Sequence, residues 1–599
     1  MTLRTLTISL ADRRVLNDVV PDAVEPALLG GRGLGAWMLG ARVGAKIGPL
    51  SPDNQLIFAA GPLAGRLPSM SGGFTVTTRS PLTRGIAHGW ALGGWGAALR
   101  RAGYDALALT GQSQEWCVVR INDGQIELLA AGKLLGLDTV DTARALRRAL
   151  GDEYSVVCIG PAGEAGVSYA SIVADGSYAA EPAGAGAVMA HKRIKAIAVR
   201  GTGELALADA ARVHAVIAAV ERRAASSDVA GDLRAYGGLA FAERAEELGA
   251  LSARNGQESA LRGIANLHRD EFVDRAPRDG RGCLGCPLPC HAAYTSEPGE
   301  ASAYPDLDAL AGFGPRLGIT DPETVVAASD LCLRLGIDAV AMSAALGFLM
   351  ECSDRELTRT AAVAWGDGAS VLAAIRRMGQ KHEKRDILSL GVGEMAEVYW
   401  GSAAFAPQVK RLAFGALDLR ALPLLALATA VSPIGGDYRY AMAMEELLPA
   451  PPAWLPNDAS APPALRGVVA RLIWYERFAA ALDAAGLCRR LALYAYQITP
   501  GEVNELLSAA LGRPFSGADV AALGERLVTF ERALAHRYDL GEDTLPVRWR
   551  DEPLALGAAA GKLPALDDLI PDYYRRHGWD PDGRPTPARL VELGIDGLV

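Results

Sequence analysis

Cysteine is scarce in this chain, with eight in 599 residues. That number, unevenly spread, does not build a disulfide framework, and a reducing cytoplasm is the simplest home for the thiols. Positive charge is not in excess. The net charge of −9 argues against nucleic acid as the main partner, because phosphate binding needs a basic face. Long apolar runs are missing too: nothing approaches the roughly 20 residues of a membrane span, and Ala421–Val431 is short enough to be core. The N-terminus, Met1-Thr2-Leu3-Arg4-Thr5-Leu6-Thr7-Ile8, alternates like a strand and has no apolar signal region. No internal repeat and no low-complexity linker stands out. What is present is a globular composition, 50% hydrophobic and 22% charged, with ample core. The length suggests about three or four domains.

Three of the eight cysteines sit within eight residues, in Cys283-Leu284-Gly285-Cys286-Pro287-Leu288-Pro289-Cys290. The prolines stiffen this loop and remove backbone donors, which suits a turn wrapped around a bound group. An iron–sulfur cluster takes four thiolates, and the best candidate for the fourth is Cys488, in Asp483-Ala484-Ala485-Gly486-Leu487-Cys488. A structural zinc on the same thiols is the alternative. Zinc sites usually recruit two close cysteine pairs, whereas here the fourth thiol is isolated. Cys117 and Cys158 lie in strand-like runs, Cys332 and Cys352 in helix-like ones, and all four read as small buried hydrophobes.

Residues 1–207 are rich in strands and glycine. Leu6–Leu10 and Arg14–Val20 alternate about Ala11-Asp12-Arg13 and predict a hairpin. Leu56–Pro62 and Phe74–Thr78 predict strands. Gly30-Gly31-Arg32-Gly33-Leu34-Gly35 lacks the spacing of a dinucleotide loop. From about Leu207 the apolar period becomes helical. Asp209 caps the first helix, and Pro322–Leu335 ends at Gly336 as a C-cap. Ala339–Cys352 follows, with Asp338 at its N-cap. Leu465–Ala485, Pro500–Leu511 and Gly517–Arg537 are the clearest helices of a third region.

Taken together and in order, these residues resemble the tungsten-containing aldehyde:ferredoxin oxidoreductases from end to end. The set runs Gly30–Gly35, Gly61-Pro62-Leu63, Ser80-Pro81-Leu82-Thr83, Ala102-Gly103-Tyr104-Asp105, Ile159–Glu164, the Cys283/Cys286/Cys290 loop, Leu335-Gly336-Ile337-Asp338 and Asp483–Cys488. It closes with Asp543-Thr544-Leu545-Pro546, Tyr573-Tyr574 and Gly578-Trp579. The resemblance implies an α+β multidomain fold: an N-terminal β-rich base domain (1–207) and two mainly α-helical domains (208–411, carrying the cysteine loop, and 412–599, carrying Cys488). It implies a [4Fe–4S] cluster on Cys283, Cys286, Cys290 and Cys488, beside a tungsten or molybdenum bis-pterin clasped by Asp338, Asp483 and Leu487. It further implies oxidation of an aldehyde or related oxo compound to a carboxylate, with electrons passed to ferredoxin or another small carrier.

The chain departs from that family's pattern at several places. Where an arginine engages the cofactor, this chain has Gly73. Trp90-Ala91-Leu92-Gly93 replaces a polar loop, and Glu181-Pro182 stands where a Gly-Arg pair is expected. Phosphates want guanidinium forks or free N–H groups, and proline offers neither. Leu333 stands where the first clasp has its leading acid. On the catalytic side, Asp308 aligns with a longer acid and Tyr438 with a histidine. A tyrosine of pKa near 10 donates well but is a poor base at neutral pH. His88 could face the cavity and His291 adjoins the cluster loop; the other six histidines read as solvated. Ala327 replaces the glutamate of a metal bridge between subunits, leaving homodimer or heteromer formation by another route open. A second reading is therefore carried forward: a divergent paralogue without metallopterin, serving as a [4Fe–4S] electron-transfer or assembly subunit.

Overall fold

The computed structural model describes residues 2–599 except 276–277, 280–282, 284, 291–292, 298–299, 304, 359–362, 382–383, 449–450, 453–454 and 457–466. The chain begins with two six-stranded sheets. The first runs in the order β2-β1-β6-β3-β4-β5 and the second β11-β10-β9-β12-β7-β8. The strands of the first are β1 Arg4–Ser9, β2 Arg14–Val19, β3 Leu56–Ala60, β4 Phe74–Arg79, β5 Ile86–Ala91 and β6 Ala106–Thr110. Those of the second are β7 Cys117–Asn122, β8 Gln125–Ala130, β9 Ser155–Ile159, β10 Ile172–Ala174, β11 Tyr178–Ala180 and β12 Ile194–Arg200.

The two sheets repeat one topology. Each opens with a hairpin, β1–β2 or β7–β8, and continues through a helix, Gly31–Arg42 or Thr139–Leu150. Each then makes a three-strand meander, β3–β4–β5 or β9–β10–β11. A short helix, Trp95–Arg101 or Ala185–His191, leads to the last strand, which pairs antiparallel with the first of the meander and parallel with the hairpin. The expectation of no internal repeat is thus corrected. Strand positions in a buried sheet demand only apolar, β-branched or small residues, so the two halves share a topology without sharing a recognisable sequence.

The sheets bury a shared core of Phe58, Phe74, Trp95, Leu107, Val157, Ile159 and Ile197. Trp95 is fully buried, stacks near Phe74 and Phe58 at 4.9 and 5.1 Å, and donates across the gap to the carbonyl of Ile197 at 3.3 Å. A bridge between Trp90 and Glu181 joins β5 to the loop after β11.

Beyond β12 the elements are mainly helices, and their ends follow local chemistry. Asp209 accepts from Arg212 N to cap Ala210–Ser226. Asp321 caps Pro322–Leu335, which stops at left-handed Gly336. Thr499 with Glu502, and Ser516 with Asp519, form capping boxes on Pro500–Leu511 and Gly517–Arg537. The apolar helix Pro423–Val431 is buried on all sides, in keeping with a core segment. Small strands, Arg278–Asp279, Ala293–Glu297 and Glu300–Ala303, flank the cysteine loop, which interrupts a stretch where helical patterns dominate. Among the described residues, no helix is long and apolar enough to cross a membrane.

Candidate active site between two matching clasps

The repeat in the sheets is matched by a repeat in what docks on them. The helix Val468–Ala485 ends at Gly486, with φ of 84°. Its last carbonyl, Ala485 O, accepts from Leu63 N at 2.9 Å, and Cys488 N donates to Met70 O at 2.9 Å. The helix Pro322–Leu335 ends in the same way at Gly336, with φ of 68°. Asp338 N donates to Tyr169 O at 3.1 Å, and Ser171 N to Gly336 O at 2.9 Å. Met70 and Tyr169 lie equally far along the chain from Pro62 and Pro161. Each Gly-Pro loop presses against its helix end. A Cβ on Gly61 would lie 2.2 Å from Gly486 N, and one on Gly160 2.2 Å from Leu335 O. Both positions therefore require glycine for close approach.

The second clasp delivers a thiol. The cysteine loop turns at Gly285, whose φ is 65° and which packs close against Pro68 O, where a Cβ would stand only 3.0 Å away. The loop thus lies against the segment whose Met70 carbonyl anchors Cys488. Cys283 and Cys286 are half-buried, Cys290 and Cys488 buried, and all eight cysteines are free. The four thiols feel one another. Burial and the charges of Cys283 and Cys290 push the Cys488 thiol up, while a hydrogen bond from Cys286 holds Cys283 down. Yet no three His, Cys, Asp or Glu side chains among the described residues converge on a single ion. The thiols of Cys283, Cys286, Cys290 and Cys488 lie as neighbours, and four cysteine ligands are what a [4Fe–4S] cluster takes.

Asp483 stands on the last turn of the same helix, fully buried. It lies 3.2 Å from Arg32 Nη1 and 3.0 Å from Arg489 Nε. Burial works against its ionisation, but Arg489, His88 and Arg32 together hold its carboxyl below the usual range. Arg32 is bidentate to Glu531 (2.9 and 2.7 Å) and stacks on Tyr440 at 4.1 Å. Arg489 Nε and Asp483 Oδ1 are each other's partners in a buried 3.0 Å ion pair, while both ring nitrogens of His88 have no hydrogen-bond partner. His88 lies 3.8 Å from Asp483 Oδ2, and burial lowers its pKa. Buried unpartnered nitrogens such as those of His88 call for a polar ligand or water. Leu487 is fully buried behind the clasp.

Asp308, in the first turn of the helix Leu307–Phe313, accepts from Tyr438 Oη at 2.8 Å. The two residues expected to handle protons are thus brought together. Asp308 Oδ1 has no partner, and a Cβ on Gly415 would come within 2.5 Å of it, so glycine keeps that oxygen clear. Burial, and then Asp306, push Asp308 up to about 6 against the opposing Arg439 and the Tyr438 hydrogen bond. Burial and the neighbouring Asp308 drive Tyr438 well above its ordinary value.

Tyr438 belongs to a tight turn, Tyr438–Tyr440, capped by Asp437. Next to it, Arg439 bonds Asp437 at 2.8 Å and reaches toward Glu181 at 3.7 Å. Asp308, Asp338 and Glu181 all favour its charge. Arg439 and Glu181 keep 21% and 17% of their side chains open. On the other side Arg489 donates to the carbonyls of Arg439 and Tyr440. The turn therefore spans the gap between the clasps. Asp338 caps the helix Ala339–Asp354 through Ala341 N at 3.0 Å while facing Arg439.

The altered positions have a physical account. Trp90 has moved beside Gly73, where a Cβ would stand 3.0 Å from its indole nitrogen, and the Arg489 guanidinium covers the Trp90 ring at 5.0 Å. Arg439, Arg489 and Arg490 escaped the sequence reading; the one signal was a pair of arginines directly after Cys488. His577 corrects the expectation of solvated histidines: it is 1% exposed, with Nε2 2.6 Å from Glu476. His268 does sit half exposed on Glu246. His291 and His382 lie outside the described residues.

The comparisons with known proteins follow this geometry. Residues 5–201 match the model of the aldehyde ferredoxin oxidoreductase N-terminal domain, and 215–595 that of its domains 2 and 3. The chain is 30% identical over 604 residues to the tungsten-containing aldehyde ferredoxin oxidoreductase of Pyrococcus furiosus, covering 99% of this chain and 98% of the relative. It is 25% identical over 647 residues to the WOR-like subunit of an aliphatic sulfonate oxidoreductase from the same organism, covering 99% and 96%. Among solved structures, the active site complex BamBC of benzoyl coenzyme A reductase superposes with a TM-score of 0.83. It covers 99% of this chain and 97% of its own at 21% identity, a likeness of fold.

Proposed function

The chain belongs to the aldehyde ferredoxin oxidoreductase family, and from that premise we propose that it oxidises an aldehyde or related oxo compound to a carboxylate, passing the electrons to ferredoxin or a similar carrier. The observation that carries the reading is the Asp308–Tyr438 pair, buried, bonded at 2.8 Å, with Asp308 Oδ1 kept free. The four thiols fit a [4Fe–4S] cluster. The matching clasps, with Asp338, Asp483 and Leu487, and the unpartnered ring nitrogens of His88 fit a bis-pterin of tungsten or molybdenum. When bound, that group would supply the two-electron oxidation of the substrate carbon, and the cluster would drain the electrons singly.

The residues of the chain then handle substrate and protons. Converting an aldehyde and water to a carboxylate releases protons, and Asp308, ionised above about 6, accepts one at Oδ1. Tyr438 holds the other carboxylate oxygen and fixes its direction. Arg439, whose side chain is partly open, orients the substrate oxygen or an anionic cofactor edge. Free thiols suit a reducing cytoplasm.

A second reading, an electron-transfer or assembly subunit without metallopterin, draws on Trp90 filling the space at Gly73 and on Pro182 in place of an arginine. Anaerobic purification separates the two. Tungsten or molybdenum with pterin in each chain, and dye reduction driven by short aldehydes, would support the enzyme. About four irons without pterin would leave the electron-transfer reading.

A further inference from the structure

We infer that the surface around Pro68, bordered by Arg66, Arg101 and Arg4, is where an acidic iron–sulfur electron carrier docks to take electrons from the four-thiol site. The inference rests on the [4Fe–4S] reading of those thiols and names the face that the carrier uses. Two features meet there: the place where the cysteine loop comes to the surface, and a group of guanidiniums that no carboxylate holds.

The loop between β3 and β4 provides the first feature. It is pinned to the Cys488 clasp at both ends, by Leu63 N on Ala485 O and by Cys488 N on Met70 O, each at 2.9 Å. Between the pins, Gly65 N donates to Ser71 O at 3.1 Å and Arg66 N to Leu63 O at 3.0 Å, so the loop is bonded within itself. Its outer residue, Pro68, is exposed, and the Pro68 carbonyl meets Gly285 of the cysteine loop, which is exposed as well. Cys283 and Cys286, which flank that glycine, are half-buried, whereas Cys290 and Cys488 are buried. The outer pair of thiols thus approaches solvent beside Pro68. Single electrons cross only short gaps, so a carrier must seat close to this point.

The second feature is charge. Arg66, half-buried, donates Nη1 to the carbonyl of Ala206. Arg101, exposed at the end of the helix Trp95–Arg101, reaches Gly65 O at 3.5 Å. Arg4, exposed, stands 5.8 Å from the centre of the Tyr104 ring and beside Gly103. These partners are carbonyls and a ring, and among the described residues none of the three guanidiniums has an ion pair. The buried carboxylate of this region, Asp105, is taken by Arg100 and by the backbone N–H of Arg4. Glu204 is the exposed acid at the rim; its neighbour Leu205 packs on Gly65. The chain as a whole carries −9 and repels an acidic protein at a distance. A local group of arginines reverses that field at one place and steers an acidic face to it. One electron then passes: the reduced cluster loses it, the oxidised carrier gains it, and no bond is made or broken.

The test is anaerobic stopped-flow mixing of dithionite-reduced holoprotein, freed of excess dithionite, with an oxidised two-cluster bacterial ferredoxin, and in parallel with benzyl viologen, a small cationic dye. Iron is counted per chain. Neither arm needs an aldehyde, so the test stands apart from the proposed oxidation. The double variant Arg66→Glu, Arg101→Glu should slow the ferredoxin arm by about tenfold or more at low salt and flatten its salt dependence, without slowing the dye arm. Glu204→Lys should speed the ferredoxin arm. An unchanged ferredoxin rate in an iron-loaded double variant overturns the inference, as does equal slowing of both arms. A change of oligomeric state with the ferredoxin rate unmoved would assign the face to a second copy and overturn it too. If the double variant loses its iron, Glu204→Lys decides: faster transfer to ferredoxin supports the inference and no change overturns it. Wild-type protein lacking iron would overturn the cluster reading itself, and this inference with it.

Discussion

Replacing Tyr438 by phenylalanine is the sharpest probe of the proton-handling pair. The substitution removes the 2.8 Å hydrogen bond to Asp308 Oδ2, the other oxygen of which is already unpartnered. In the wild type that bond favours the carboxylate against burial, so its loss must raise the Asp308 pKa from about 6. A hydrogen bond to a charged group contributes about 1.5–3 kcal/mol, and one pH unit corresponds to about 1.36 kcal/mol. The acid limb of the activity profile should therefore move up by about one to two pH units. At pH 7 the ionised fraction of Asp308 would fall from about nine-tenths to half or less. Two assays read this: the pH dependence of aldehyde-driven dye reduction, and the infrared carboxyl stretch of protonated Asp308, which needs no substrate. The stretch should persist to higher pH in the variant. An acid limb and a carboxyl titration both unchanged in a folded Tyr438→Phe protein would refute the pairing.

Other expectations follow from the same geometry. The raised folded-state pKa of Asp308 means that its protonated form lends stability in full below about 3.8, and that this is lost as pH rises through about 6. Asp308→Asn should thus be inactive yet more stable at pH 7, by up to roughly 3 kcal/mol for two pH units; denaturation at pH 4 and 7 would show the gap closing at the lower pH. Cys488→Ser should lose cluster iron, whereas Cys332→Ser, buried away from the thiol group, should keep it; iron analysis decides. Gly61→Ala and Gly160→Ala should destabilise alike, since each Cβ would meet backbone at 2.2 Å; sharply unequal losses of thermal stability would refute the equivalence of the clasps. Arg32→Met leaves Glu531 and Asp483 buried without their shared cation and should cost about 3–5 kcal/mol, measured by urea denaturation.

Local chemistry was legible in the sequence, and distant pairing was not. Pro322–Leu335 with its Gly336 cap, Asp338 at the next N-cap and Pro500–Leu511 could be read because a helix end is decided within a few residues. The resemblance carried the cluster ligands, since Cys488 is nearly two hundred residues from its partners and no periodicity links them. The sheet duplication stayed hidden because it lives in hydrogen-bond order. The contact of Asp308 with Tyr438 could not be deduced from either residue alone: Asp308 opens a helix, Tyr438 starts a short turn 130 residues on, and only the meeting of two helical regions joins them. His577 was misjudged for a related reason. Its neighbours in sequence are Arg575, Arg576 and Asp580, but its neighbour in space is Glu476 on another helix.

The difference between the two clasps says how the site divides its work. Both end with an N–H held by a base-domain carbonyl, Met70 on one side and Tyr169 on the other. At that shared position one carries Cys488 and the other Asp338. The thiol side continues into Arg489 and Arg490 and the cluster loop; the carboxylate side faces Arg439, Glu181 and, through the turn at Asp437, the Asp308–Tyr438 pair. On the proposed function, a repeated scaffold would thus serve electrons on one side and protons on the other through a difference of one residue type. The same comparison explains how the chain can lack an arginine at Gly73 and at Pro182 while keeping guanidinium groups in the site. Arg439 and Arg489 enter from the C-terminal helical region instead of from the sheets. Charge in the site therefore depends on that region closing over the base, and Trp90, beneath Arg489 and against Gly73, is the surface on which it closes.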